Sequence, residues 1–106
     1  MPRDGQPREP YERPLLGLSQ RVPPGSIEAE QALLGALLAN NKAYERVCDF
    51  LRAEHFLDPI NGRIYRQIEE RLVMGRLADA VTLRQDFENT GLLDEVGGAP
   101  YLARLL

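Results

Sequence analysis

With 106 residues, 43% of them hydrophobic and 27% charged, the chain has the composition of a soluble globular domain, and its length suits a single one. No apolar run approaches the roughly 20 residues of a membrane-spanning helix, no signal-peptide core follows the N-terminus, and the lone Cys48 excludes an internal disulfide and suits a reducing, cytoplasmic compartment. The net charge of −3 argues against a dedicated nucleic-acid binder, and one histidine with one cysteine are too few for a structural zinc site.

Residues 1–22 carry +1 and residues 23–106 carry −4, and Lys42 is the single lysine among thirteen basic residues, which reads as a GC-rich coding bias. Six of the eight prolines fall within residues 1–24. Proline lacks a backbone donor, and beyond Leu15, Leu16 and Leu18 this stretch has little to bury, so residues 1–22 are expected to form a disordered arm ahead of a folded head, residues 23–106. Ser26 then supplies an N-cap, Glu28 and Glu30 suit the positive end of a first helix, and Ile27, Leu33, Leu34, Leu37 and Leu38 give it an apolar face. Asn40-Asn41 closes it. A second helix is expected from about Lys42 to Leu51, where Tyr44, Val47, Cys48 and Leu51 follow helical spacing and Cys48 reads as a small buried hydrophobe.

A connector bearing Phe56 leads to Asp58-Pro59, an acidic cap followed by proline at the first helical position. Ile60, Ile64, Ile68 and Leu72 recur every four residues and mark a buried stripe with Tyr65 beside it, in which Gly62 is an irregularity costing up to about 1 kcal/mol relative to alanine. Gly75 ends that helix. Thr82 and Gln85 fit a capping box, Leu83 and Phe87 face inward, and Gly91 closes the helix. Leu92-Leu93 returns to the core, Gly97-Gly98 turns, and Pro100 opens a last helix with Tyr101, Leu102, Leu105 and Leu106. No segment alternates as a strand does. The expected fold is all-α, a compact orthogonal bundle of about five or six short helices. The bare apolar ending at Leu105-Leu106 suggests a helix that continues in a longer protein.

Reactive constellations are missing. There is no G-x-x-x-x-G-K-[ST] phosphate cradle, and no nucleophile stands where His55 could serve as its base. Glu69-Glu70 and Asp94-Glu95 are neighbours that diverge on a helix, so they form solvated pairs rather than an acid and base. Helix faces without reactive groups describe an interaction module; no catalytic residue, metal ligand or cofactor contact is expected in this chain.

The string Pro23-Pro24-Gly25-Ser26-Ile27-Glu28-Ala29-Glu30-Gln31, followed by Leu34-Gly35-Ala36-Leu37-Leu38, resembles the opening of the N-terminal domain of bacterial replicative DNA helicases of the DnaB type. His55-Phe56 with Pro59 through Tyr65, Asp79-Ala80-Val81-Thr82-Leu83, and Leu93-Asp94-Glu95-Val96-Gly97-Gly98 with Tyr101-Leu102 agree in order and spacing, so the resemblance covers residues 21–106. Asn61-Gly62 departs from the commonest pattern, where histidine is frequent, and this is read as altering only the local helix surface. The resemblance implies the globular head of a collar on a hexameric ring, cut before a helical hairpin. ATP and Mg²⁺ would bind a C-terminal domain of the parent, which would meet DNA only through its ring, away from any membrane.

The resemblance further implies other helicase subunits and the C-terminal domain of primase as partners, with a dimer of the isolated head possible through its uncovered hairpin-facing side. Glu28 and Tyr101 are the candidate partner-binding residues. The competing readings are that Glu28 merely stabilises a helix start and that Tyr101 is a core tyrosine with a bonded hydroxyl. Alternatives for the whole chain are the helicase-binding domain of a primase, a helical nucleic-acid-binding domain, which the −4 charge disfavours, and a small enzyme.

Overall fold

The computed structural model describes residues 25–106, and the expected arm over residues 1–22 lies outside them. The described residues form helices joined by turns and short irregular segments, with no strand among them, as the all-α reading expects. Four α-helices follow in order: α1 (Ile27–Ala39), α2 (Pro59–Val73), α3 (Ala80–Thr90) and α4 (Gly98–Arg104), with 3-10 segments at Asn41–Arg46, Ala53–His55 and Asp94–Val96.

Helix α1 begins where Ser26 Oγ accepts the Ala29 N–H at 3.0 Å, satisfying one of the orphan donors of the first turn. Its Leu33, Leu34, Leu37 and Leu38 are buried, whereas Ile27, expected in the core, is 40% exposed. It sits on the first turn, ahead of the stripe that packs. Gly35 meets the end of α4 so closely that a Cβ there would lie 2.0 Å from the Leu105 carbonyl oxygen. Only glycine permits that approach.

The expected second α-helix is instead a 3-10 segment through Arg46, followed by turns. The Val47 N–H bonds to the Tyr44 carbonyl in a three-residue step. A 3-10 segment advances about 120° per residue, so Tyr44 and Val47 stack on one side. Val47 and Leu51 reach the core and Cys48 swings out to solvent, which overturns its expected burial. Asn41 then ties the chain together: its Nδ2 donates to the Leu37 carbonyl (2.9 Å) and the Ala78 carbonyl (2.8 Å), and its Oδ1 accepts the Ala78 N–H (3.1 Å).

Helix α2 starts as Asp58-Pro59 implies, with Asp58 Oδ1 accepting the Ile60 N–H at 2.9 Å. Ile64, Tyr65 and Ile68 are fully buried, and Ile60 and Leu72 pack at the edge of the core. The Tyr65 hydroxyl donates to the Leu51 carbonyl at 3.0 Å, so the buried ring leaves no polar orphan. Gly62 has a packing reason, since a Cβ there would lie 2.7 Å from the Ala53 carbonyl oxygen.

Helix α3 starts earlier than the sequence suggests. Asp79 is the N-cap, accepting the Thr82 N–H at 2.8 Å, while Thr82 Oγ1 accepts the Asp79 N–H at 2.9 Å. Thr82 therefore occupies the N3 position of the capping box rather than its start, because the acidic Asp79 caps the positive helix end better. Leu83 and Phe87 are buried as expected. Arg71 of α2 bonds Asp86 of α3 at 2.8 Å with both side chains largely buried, and Gln67 Nε2 donates to the same carboxylate at 2.8 Å. Gly97 and Gly98, at φ 93° and 76°, make the left-handed turn into α4, whose first turn contains Pro100.

Candidate functional site

Where α1, the start of α2 and α4 meet, a chain of polar side chains runs from the core to the surface. Its inner end is Glu30, fully buried on the same stripe of α1 as Leu33, Leu34 and Leu37. Its carboxylate accepts the Leu57 N–H, the Asp58 N–H (3.3 Å) and the Asn61 Nδ2 (3.1 Å). Its described partners are thus neutral donors at the entry to α2. A buried carboxylate is costly unless hydrogen-bonded, and here both oxygens are engaged.

Asn61 is likewise fully buried. The expectation that its departure from the family pattern touches only the helix surface is therefore overturned: position 61 is the middle of this network. Its Oδ1 accepts the Tyr101 hydroxyl, and the Tyr101 oxygen in turn accepts Gln31 Nε2 at 3.2 Å. Tyr101 is half-buried, with its ring on Gly97, where a Cβ would lie 2.8 Å from the Tyr101 Cβ, and with the Arg104 guanidinium 6.0 Å from the ring centroid. Gln31, Ala32, Tyr101, Arg104 and Leu105 line a small cleft of about 180 Å³ at the outer end.

Of the two candidate partner-binding residues, Glu28 is exposed and Tyr101 is half-buried with a bonded hydroxyl. Glu28 lies one helical turn before Gln31 and Ala32, so α1 carries it toward the rim of the Tyr101 cleft. Glu30, Asn61 and Gln31 were missed in the sequence. The available signal was spacing: Glu30 precedes Leu33, Leu34 and Leu37 by three, four and seven residues, on the buried stripe.

A wider open groove, about 680 Å³, lies between the Ala53–His55 turn, α2 and α3. Phe56, Phe87 and Leu92 contribute apolar lining, and Glu54, Arg63, Arg66 and Glu70 contribute charges of both signs. Around the α2–α3 turn, Val73, Met74, Leu77 and Val81 are each more than 60% exposed.

His55 Nδ1 accepts the Arg52 N–H at 3.0 Å, an arrangement that caps the local turn. Partial desolvation, then the charge of Asp49, raise the Cys48 thiol above its ordinary range and reduce its thiolate fraction. Burial, followed by the Glu69 carboxylate that accepts its hydroxyl at 2.6 Å, raises Tyr44 well above the usual phenol range. Among the described residues no cluster of three or more His, Cys, Asp or Glu could hold a metal ion, and no helix is long and apolar enough to cross a membrane.

Residues 22–106 match the DnaB-like helicase N-terminal domain family. The replicative DNA helicase DnaB of Rickettsia felis is 45% identical over 86 residues, covering 81% of this chain and 17% of that protein. The replicative DNA helicase DnaB of Buchnera aphidicola is 34% identical over 85 residues, covering 80% of this chain and 18% of that protein. The chain therefore spans less than a fifth of the length of these relatives. The crystal structure of the N-terminal domain of DnaB helicase from Mycobacterium tuberculosis superposes with a TM-score of 0.73 at 38% identity, covering 79% of this chain and 61% of that one. The sequence match and the shared helical fold together establish that the chain belongs to the DnaB-like helicase N-terminal domain family.

Proposed function

We propose that this domain is the head of the N-terminal collar of a hexameric, ATP-driven replicative DNA helicase, where it helps hold the ring together and docks the C-terminal domain of primase. The observation that carries the reading is the family match, which extends over every described residue. The surface is compatible with it: exposed Val73, Met74, Leu77 and Val81 offer apolar contact area beside one another in sequence. Glu28 and Tyr101 are assigned to primase contact, Glu28 as an exposed charge and Tyr101 as a held aromatic of the kind that anchors interfaces. ATP hydrolysis with Mg²⁺ and DNA translocation belong to the rest of the parent helicase, which works in the cytoplasm on the chromosome. The domain itself contributes contacts and no chemistry.

The test uses the full-length parent. Glu28→Ala and Tyr101→Ala should abolish or sharply reduce the mutual stimulation of helicase and primase while the ATPase rate stays within about twofold of the unaltered ring. Full primase coupling in both variants would refute the docking assignment.

A further inference from the structure

Helix α4 is seven residues long and begins on the left-handed Gly97 without a side-chain cap, so tertiary contacts must hold it in place. Leu102 and Leu105 anchor its apolar side in the core. Among the described residues, only two side-chain hydrogen bonds tie α4 to the other helices, and both end on the Tyr101 hydroxyl. It donates to Asn61 Oδ1 of α2 and accepts Gln31 Nε2 of α1 at 3.2 Å. The half-buried ring itself rests on Gly97, where a Cβ would come within 2.8 Å of the Tyr101 Cβ. The place of this aromatic on the surface is therefore set from beneath, at its hydroxyl.

The hold depends on which way the Asn61 amide points. An ionised carboxylate only accepts. Glu30 already takes the Leu57 and Asp58 N–H groups, and it draws the Asn61 Nδ2 toward itself at 3.1 Å, which leaves Oδ1 facing Tyr101. We propose that Asn61, fully buried and out of reach of any partner, is a positioning residue for the primase contact: its oriented carbonyl holds the Tyr101 ring in one conformation, so the aromatic meets its partner already ordered. This inference rests on the docking reading for its partner. Ordering a loose side chain on binding weakens affinity by about two- to tenfold, and a ring held in advance avoids that loss.

Leucine matches asparagine in shape but neither donates nor accepts, whereas a neutral imidazole pairs one donor with one acceptor. The test therefore compares Asn61→Leu and Asn61→His in the 106-residue chain at pH 8, by NMR and by titration with the C-terminal domain of primase from the same organism. In the unaltered chain the Tyr101 hydroxyl proton should exchange slowly, show a nuclear Overhauser contact to the Asn61 amide, and accompany a single χ1 conformation of the ring. Affinity should follow that signature. A variant that keeps it should bind within about twofold of the unaltered chain, and one that loses it should bind about two- to tenfold more weakly. Where Asn61→Leu fails to fold, Tyr101→Phe deletes the same hydrogen bond from the other side and should weaken binding by a similar factor. With both folded, the double variant should bind no more than about twofold more weakly than the weaker single, because the two substitutions remove one interaction.

A freely exchanging, conformationally averaged Tyr101 in the unaltered chain overturns the inference, as does a variant that loses the signature yet binds fully, or losses that multiply in the double variant. The two readings fail separately. A primase domain that binds no form, while the order of the Tyr101 ring still depends on residue 61, counts against docking alone; a primase domain that binds every form equally counts against positioning alone.

Discussion

Glu30→Ala removes the acceptor on which the α1–α2 junction is organised. The Asn61 Nδ2 would lose its partner in a fully buried position, and the Leu57 and Asp58 N–H groups would lose theirs in part-buried ones. A stranded buried donor such as Asn61 Nδ2 costs about 1–3 kcal/mol, and the two part-buried N–H groups, nearer to water, cost less, so together they give about 2–6 kcal/mol before relaxation. Relief from desolvating the carboxylate, and a water entering the vacated space, return part of this, and about 2–4 kcal/mol remains. A folded region of this size has a total stability of roughly 4–12 kcal/mol, so the loss is a large fraction of it. In urea unfolding followed by circular dichroism, a slope near 1 kcal/mol/M converts the loss into a midpoint lowered by about 3 M. Glu28→Ala, at an exposed position on the same turn, should move the midpoint by no more than about 0.5 M. If the two variants unfold at the same urea concentration, Glu30 does not organise the junction.

Other positions give independent tests. Gly35→Ala gains helix propensity of up to about 1 kcal/mol but drives a Cβ to 2.0 Å from the Leu105 carbonyl oxygen, so α4 must shift and calorimetry should show a net loss of about 1–3 kcal/mol. Asp79→Ala removes the N-cap of α3 and should cost about 1 kcal/mol, whereas Gln85→Ala, outside the capping box, should cost less than half of that in the same urea assay. Cys48, exposed yet held above its ordinary thiol pKa, should react with iodoacetamide at pH 7.5 more slowly than a free-cysteine peptide, and the two rates should converge as the pH rises past the raised value.

The apolar framework was readable because period and punctuation agreed. Asp58-Pro59 marks the start of α2, Ile64 and Ile68 the inner face of α2, and Gly91 the left-handed exit from α3, each from local chemistry that the fold leaves intact. What escaped depends on tertiary contact. Lys42–Leu51 has helical spacing, but after Asn40 and Asn41 the chain winds as a 3-10 segment, and one residue of phase moves Cys48 from core to solvent. Thr82 looked like a cap because its hydroxyl does bond at a helix start, yet the better-placed Asp79 takes the terminal position.

The polar network escaped for a stronger reason. Glu30 in a first turn satisfies the helix dipole whether or not it is buried, and only the packing of α2 and α4 against it distinguishes the two cases. Asn61 becomes a bridge only once Tyr101, forty residues later, arrives beside it. The alternatives at Tyr101 also converge in part, since its bonded hydroxyl is a feature of a core tyrosine while its half-exposed ring remains available for contact.

The claim on which the functional reading depends is that this head is made to be touched by another protein. Isothermal titration of the 106-residue chain with the C-terminal domain of primase from the same organism addresses it directly. The account predicts weak, saturable binding, with Kd on the order of 10–100 μM for a small contact surface, and at least a threefold loss in Glu28→Ala and in Tyr101→Ala. A folded chain that gives no binding at several hundred micromolar, or variants that bind as tightly as the unaltered chain, would contradict it.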